Sequence, residues 1–375
     1  MDDLPAGPMG AERRGSRLSV VIPVKNGETD LECCLRRLRS STWTDFEILV
    51  VDDGSTDRSA QIAAELGARV IPLQPTRGPA LARNEGVKHA CSPWIFFLDA
   101  DVAVHTETLE RAVHHLERHP EIVALFGSYD DQPSARGLVS QYRNLLHHHV
   151  HQTGEFDSDN LRSARTFWTG CGVVRRDVFL MLGGFDPELY PRPAIEDIEF
   201  GYRLTAAGYR CVLARDVLAT HLKRWTLFHM IETDILRRGV PWMILQWRSR
   251  IAENDLNVAT DQKICVLAVG LGLLAMILAA AASPWWLLAS FASLAVVAIL
   301  NQRFYEFLAK VKGPRFALEA LPLHALYYVC CGCSVVLAAV VWRAKRLSTA
   351  TAAHRASSPH RPASRSHQCT PVGKL

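Results

Sequence analysis

Along the first hundred residues, short continuous apolar runs alternate with amphipathic stretches. The runs are Leu18–Val24, 46–51, 70–73 and Trp94–Leu98. The first breaks at Pro23, Asn26 and Gly27, the second at Asp52-Asp53-Gly54-Ser55, and the last at Asp99-Ala100-Asp101. Between them, 28–38 carries Leu31, Leu35 and Leu38 at helical spacing, and 57–66 and 80–90 follow suit. Apolar runs without alternation predict strands covered on both faces. The helices between them predict crossovers, so this part reads as an α/β domain around a mostly parallel sheet. Farther on, the pattern predicts helices over 138–151, 177–182 and 195–207, and a strand over 168–174. Gly183-Gly184 and Gly208 end the second and third of those helices.

The pattern changes after residue 225. Residues 226–262 mix Phe228, Ile231, Leu236, Trp242, Leu245 and Trp247 with charges. This fits amphipathic helices on a membrane surface, or helices packed on a soluble core. No charged residue occurs over 264–300 or 320–342. Residues 264–282 and 320–342 approach or reach the roughly 20 residues a membrane span requires, and 285–300, after the Ser283-Pro284 break, is a shorter candidate. Arg303, Lys310, Lys312 and Arg315 make 301–319 interfacial. The expected organisation is a loose tail (1–16), the α/β domain (17–225), interfacial helices (226–262), two or three C-terminal transmembrane helices (263–342) and a disordered basic tail (343–375). Three spans would put that tail on the far side from the α/β domain. Its Arg343, Lys345, Arg346, Arg355, Arg361, Arg365 and Lys374, with no acid among them, favour the cytosolic side. Two spans with one re-entrant or surface-lying segment would reconcile the two.

Composition narrows the class. Of 375 residues, 49% are apolar and 21% charged, as in a globular protein, and a net charge of +4 leaves no basic excess for a nucleic-acid partner. The N-terminus is polar up to Arg17 and has no apolar h-region. The α/β domain is therefore expected in the cytosol, anchored to a plasma membrane that the chain crosses more than once. The ten cysteines are adjacent, scattered or embedded in an apolar run, and form neither a disulfide framework nor a zinc motif.

Candidate chemistry gathers at strand ends. Ligands of open α/β sheets bind outside the carboxyl ends of the strands, where the pattern puts Asp52, Asp53, Asp99 and Asp101. Two carboxylates separated by one residue can hold Mg²⁺ or Mn²⁺ against a diphosphate, because such hard cations take oxygen ligands and share them with substrate phosphates. Asp52-Asp53-Gly54-Ser55 is either a plain turn or an acceptor of hydrogen bonds from a nucleobase or ribose. No G-x-G-x-x-G lies in the first strand-to-helix turn, which argues against a dinucleotide dehydrogenase. Glu196 and Asp197 open a helix, where acids complement the dipole and can also supply a general base. His147 and His151 share a helix face at i, i+4, and a solvated or interfacial face accounts for that cluster better than a metal does.

Four segments resemble the nucleotide-sugar half of the family 2 glycosyltransferases. They are Leu18-Ser19-Val20-Val21-Ile22-Pro23-Val24-Lys25-Asn26-Gly27, Val50-Val51-Asp52-Asp53-Gly54-Ser55-Thr56-Asp57, Ala82-Arg83-Asn84-Glu85-Gly86 and Phe97-Leu98-Asp99-Ala100-Asp101. Residues 170–176, Gly183-Gly184-Phe185-Asp186 and Ile195-Glu196-Asp197-Ile198-Glu199 resemble that family's acceptor half, so the match covers about 18–225 in order. The resemblance implies a GT-A fold, a UDP- or GDP-linked sugar donor, Mg²⁺ or Mn²⁺, and an inverting transfer. It assigns Pro23, Lys25, Asn26, Asp52, Asp53 and Arg83 to donor binding. Asp99 and Asp101 go to the metal and diphosphate, and Asp197, with Glu196, to catalysis. His221-Leu222-Lys223-Arg224-Trp225 is similar to the Q-x-x-R-W element of membrane-bound polysaccharide synthases. Arg224 would then neutralise the departing diphosphate, and Trp225 would stack on the acceptor sugar. His221 stands in the Gln position and Ile195 where Thr often precedes Glu-Asp. Both departures put processive polymerisation in doubt, the few membrane segments favour single-sugar transfer, and His221 becomes a candidate metal ligand. The membrane segments imply a lipid or lipid-linked glycan as acceptor. Competing readings are a phosphohydrolase with Asp99 as nucleophile and Asp101 as acid, and a membrane-anchored nucleotide-sugar binding protein without turnover.

Overall fold

The computed structural model describes residues 17–249 and 259–356, with side chains to residue 344. The expected tail at 1–16, part of 226–262 and the chain beyond 356 lie outside the described residues. The chain opens with β1 (Leu18–Val24), α1 (Glu28–Arg39), β2 (Phe46–Asp52), α2 (Ser59–Glu65), β3 (Arg69–Pro72), α3 (Pro79–His89) and β4 (Trp94–Leu98), the alternation read from the sequence. It continues through β5 (Val102–Val104), α4 (Thr108–Arg118), β6 (Ile122–Tyr129), α5 (Leu138–Gln152), β7 (Leu161–Ser163), β8 (Cys171–Arg175), α6 (Arg176–Met181), α7 (Glu196–Ala206) and β9 (Arg210–His221).

All nine strands form one sheet in the order β3-β2-β1-β4-β8-β6-β9-β5, with β7 on β9. The expected parallel arrangement holds from β3 to β4 and again between β6 and β9. Elsewhere the sheet is mixed: β8 is antiparallel to β4 and β6, and β5 and β7 are antiparallel to β9. Parallel pairing needs a returning crossover, and strict strand–helix alternation stops after β4. The strand expected over 168–174 starts only at Cys171, because 166–169 turns inward to line a cleft.

Successive residues of β1 face opposite sides of the sheet. Leu18, Val20, Ile22 and Val24 join one core with Leu31 and Leu35 of α1 and Leu109 of α4. Val21 joins the other, with Ala82 and Val87 of α3, Val178 of α6 and Phe200 of α7. In that second core Phe97 lies 5.3 Å from both Phe179 and Phe185, centroid to centroid. Burying an aromatic of this kind stabilises the fold by roughly 1.5–3 kcal/mol.

Beyond β9 come α8 (Leu227–Glu232), a π-helical turn (Thr233–Gly239), α9 (Val240–Ser249), α10 (Thr260–Ala281), α11 (Trp286–Leu300), α12 (Gln302–Lys312) and α13 (Pro314–Ala356). Helix α13 runs past residue 343, where the sequence predicted a disordered tail to begin. Helix α10 and the 314–344 part of α13 are long and apolar enough to cross a bilayer. Helices α11 and α12 meet at a bend of 68° and make at most one further span together. Helix α5 ties these helices to the sheet. Its Tyr142, Leu145 and Leu146 pack with Met230, Phe304, Leu308 and Tyr328, and its Arg143 pairs with Asp234 at 2.5 Å, both nearly enclosed.

Gly86 of α3 rides directly on the sheet. A Cβ there would lie 2.4 Å from Val21 Cγ1 and 3.1 Å from Val51 Cγ2. Gly86→Ala is expected to cost about 1–3 kcal/mol by overpacking, seen as a lower midpoint of thermal unfolding. An unchanged midpoint would show that α3 is free to move off β1.

Candidate active site

The strand order reverses direction between β1 and β4, and a cleft of about 1360 Å³ opens there. Asp53, Asp99, Asp101 and Asp197, far apart in sequence, all line it. So do Pro23, Lys25 and Asn26 from the end of β1, Arg83 from α3, Glu196 from α7, and His221, Lys223 and Trp225 from the end of β9 onward.

Two of the expected site residues do not reach the cleft. Asp52 is buried, and one of its carboxylate oxygens accepts the Ser55 N–H at 3.0 Å, so it shapes the turn. Arg224 is exposed outside the cleft. The chain stays extended past His221, and side chains alternate, so His221, Lys223 and Trp225 turn inward and Arg224 outward. Lys223 is the cation on the cleft side: its Nζ lies 3.9 Å from Asp101 and 4.8 Å from the Trp225 ring.

At one end, Asp53 organises a loop. Its carboxylate accepts the Thr76 hydroxyl at 2.8 Å, the Arg77 N–H at 2.7 Å and the Gly78 N–H at 2.9 Å. Gly78 is required there, since its φ is +87° and a Cβ would lie 2.4 Å from the Pro191 carbonyl oxygen. Asn26, at φ 51°, accepts the Thr56 N–H at 2.7 Å.

At the centre, the buried Arg83 reaches Glu196 at 2.8 Å with one nitrogen and Asp99 at 2.6 Å with another. The second oxygen of Glu196 accepts the Ala194 N–H at 3.0 Å. Arg83 and Glu196, expected to bind donor and to catalyse, line the cleft and engage one another there. Asp197 is freer. It accepts the Thr169 N–H at 3.1 Å and the Ile198 N–H at 2.9 Å. Burial first, and the neighbouring Glu196 second, raise its carboxyl to about 6, against the pull of Arg83. Asp101 goes the other way. Burial pushes it up, but His221 and Lys223 facing it hold it at about 2.

The register pairs His221 with Val102, which explains its place beside Asp101. Its Nε2 lies 3.7 Å from Asp101 Oδ2 while its Nδ1 meets the Asn144 side-chain oxygen at 2.6 Å. Among the described residues no three His, Cys, Asp or Glu side chains close around a single point. Asp99 and Asp101 nonetheless remain partly exposed on one wall, with His221 adjacent. One or two carboxylates with the rest supplied by phosphates is the donor set that Mg²⁺ and Mn²⁺ accept, so these residues fit such an ion once a diphosphate is present.

Several lining residues were not legible beforehand. Asp30 reads as an ordinary first-turn acid of α1, yet it lines the cleft, and burial and Asp101 raise its pKa. His147 and His151 face the cleft rather than solvent, with ring centroids 4.0 Å apart, whereas His148 and His149 pack on Phe307 of α12. Arg238 was hidden in the charged, aromatic stretch after residue 225.

Residues 19–182 match the family described as Glycosyl transferase family 2. The uncharacterized glycosyltransferase YibD of Escherichia coli is 39% identical over 99 residues, which is 25% of this chain and 29% of that protein. Glycosyltransferase AglE of Haloferax volcanii is 28% identical over 214 residues, 55% and 67% of the two chains. Against these two relatives the chain thus spans from 29% to 67% of their length. A mannosyltransferase of Pyrobaculum calidifontis, PcManGT, solved with GDP-Man and Mn²⁺, has a similar fold. The TM-score is 0.51 at 18% identity, covering 86% of this chain and 88% of that one. Residues 19–182 are thus similar to the family 2 glycosyltransferases, and the fold resembles the GT-A architecture, followed by helices apolar enough to cross a membrane.

Arg83→Ala would leave the enclosed Glu196 carboxylate without its partner. A loss of about 3–5 kcal/mol is expected, measured as a shift in denaturant midpoint of the full chain in detergent. A loss below 1 kcal/mol would show that Arg83 does not hold the centre together.

Proposed function

We propose that the protein transfers a single sugar from a nucleoside-diphosphate sugar to a hydroxyl of a membrane-associated acceptor, a lipid or lipid-linked glycan, with inversion and with Mg²⁺ or Mn²⁺. One observation carries this: an acid with a raised pKa, Asp197, lines the same cleft as the Asp99–Asp101 pair. Asp53 and the loop it holds would receive the nucleoside, beside Pro23, Lys25 and Asn26. Asp197 takes the proton from the acceptor hydroxyl, and the acceptor oxygen attacks the anomeric carbon. The bond to the diphosphate breaks on the opposite face, and the electron pair leaves with the nucleoside diphosphate. Lys223 stands at that end to offset the charge. Held by Asp99, Asp101 and the diphosphate, with His221 as a further donor, the divalent ion would supply the remaining neutralisation. PcManGT, alike in fold, carries a nucleotide sugar and a divalent ion.

We read α10 and the 314–344 part of α13 as two spans of the plasma membrane, with the bent α11–α12 pair re-entrant. At 15 residues, or roughly 22 Å, α11 is too short to cross alone. Two spans keep the catalytic domain and the basic segment after Trp342 on one, cytosolic side.

Asp197→Asn should bind donor like the parent but transfer at least about 100-fold more slowly, while Asp101→Ala should lose metal-dependent donor binding. Transfer by Asp197→Asn at the parent's rate would remove Asp197 as the base. Since the base must be ionised and its pKa is raised to about 6, kcat/KM should fall with acid below about pH 6 and level off above it. An acid limb centred near 4 would contradict the assignment.

A further inference from the structure

His221 is fixed from three sides. Its backbone pairs with Val102 between β9 and β5. Its ring lies flat on Tyr129, with centroids 4.2 Å apart and planes 8° from parallel. Its Nδ1 lies 2.6 Å from the side-chain oxygen of the buried Asn144, on α5. An amide oxygen can only accept, so Nδ1 carries a proton and donates it. In the neutral ring this leaves the lone pair on Nε2. Nε2 is the ring nitrogen turned towards Asp101 Oδ2, at 3.7 Å, which is too far for a hydrogen bond.

Asn144 belongs to a helix face that grips this segment twice. Ser140, Arg143 and Asn144 stand at i, i+3 and i+4 on α5. The Ser140 hydroxyl accepts the Trp225 N–H at 2.8 Å, and the Arg143 guanidinium lies 5.8 Å from the centre of the Trp225 ring. The face thus holds both ends of the stretch from His221 to Trp225. Stability does not explain the choice of asparagine. Among the described residues its Nδ2 finds no acceptor. A buried amide nitrogen left unpaired costs stability, and a leucine of similar size would carry no such group. What asparagine offers and leucine lacks is an acceptor for Nδ1.

We propose that Asn144 is a positioning residue for the divalent ion: by accepting the Nδ1 proton it keeps Nε2 of His221 open as a ligand beside Asp101. This rests on the divalent ion of the sugar-transfer reading and adds the residue that readies its nitrogen ligand. Without the Asn144 oxygen the proton is drawn to Nε2, where the Asp101 carboxylate attracts it, and that nitrogen is closed to a cation. Hydrogen-bond partners of this kind set the tautomer and the orientation of metal-binding histidines, and losing one weakens metal binding about 10–100-fold.

The test uses the full chain in neutral detergent with Mn²⁺ and UDP, and separately with Mn²⁺ and GDP. Electron paramagnetic resonance measures free Mn²⁺ during a titration, and nitrogen modulation of the spin echo reports a nitrogen ligand on the bound ion. The parent should show that modulation, and His221→Ala should lose it. Asn144→Leu and Asn144→Ala should bind Mn²⁺ about 10–100-fold more weakly and lose the modulation, with circular dichroism like the parent's. Asn144→Asp again offers an oxygen to Nδ1 and should keep both affinity and modulation, which separates the hydrogen bond from folding. A parent without nitrogen modulation under either nucleotide overturns the proposal, whatever the variants do. So does an Asn144→Leu or Asn144→Ala protein that keeps the parent's affinity and modulation, or an Asn144→Asp protein that loses them. Release of nucleoside diphosphate from UDP- and GDP-linked sugars is followed separately. A parent that holds Mn²⁺ through nitrogen yet releases none upholds the role of Asn144 and removes the sugar-transfer reading.

Discussion

The ion pairs of Arg83 with Asp99 and Glu196 are the constraint on which the site depends. They join the end of β4 to the start of α7 across the crevice, and α3 supplies the cation between them. Two carboxylates facing one another repel, and a cation between them offsets this. Arg83 bridges both and leaves Asp197, one residue on from Glu196, to sit differently. The result is a pair of neighbouring acids in separate surroundings. Glu196 faces Arg83, while Asp197 is held by two backbone N–H groups and has a raised pKa.

The first half of the fold was open to sequence reasoning because each strand there is buried on both faces and each helix repeats at 3.6 residues. Leu18–Val24 to Trp94–Leu98 came out nearly residue for residue. The second half was not, since Arg210–His221 carries Arg215 and Asp216 in mid-strand and Val102–Val104 is three residues long. Without those strands the pairing of His221 with Val102 was invisible. The aspartates of the cleft were legible because strand ends in an open sheet converge. Asp52 and Arg224 failed for a local reason, in that adjacent residues point opposite ways. Only one of Asp52 and Asp53, and only one of Lys223 and Arg224, faces the cleft. Motif spacing names the pair; the strand's alternation chooses between its members.

The apolar helices are not merely appended. Helix α5 presents one face to β6 and β9 and another to α12 and α13, and its Arg143 reaches Asp234 in the π-helical turn. That turn is itself part of the cleft wall. A buried pair of this kind adds little stability over an apolar contact, but breaking one half is expensive, so it fixes register. The cleft wall and the apolar helices therefore hold one relative position.

Under the proposed sugar transfer, the two cleft acids with displaced pKa values also bear on the nucleophile. Asp101 at about 2 is a permanent anion, suited to a cation and poor at accepting a proton. Asp197 at about 6 is ionised at neutral pH and still basic enough to draw a proton from a hydroxyl in the transition state. An acceptor attacking through an oxygen that is already anionic would have no use for such a base. Desolvating Asp197 would then weaken the fold without a chemical return. Under the proposed transfer, the basicity built at the start of α7 is thus an argument that the atom attacking the sugar is a hydroxyl oxygen.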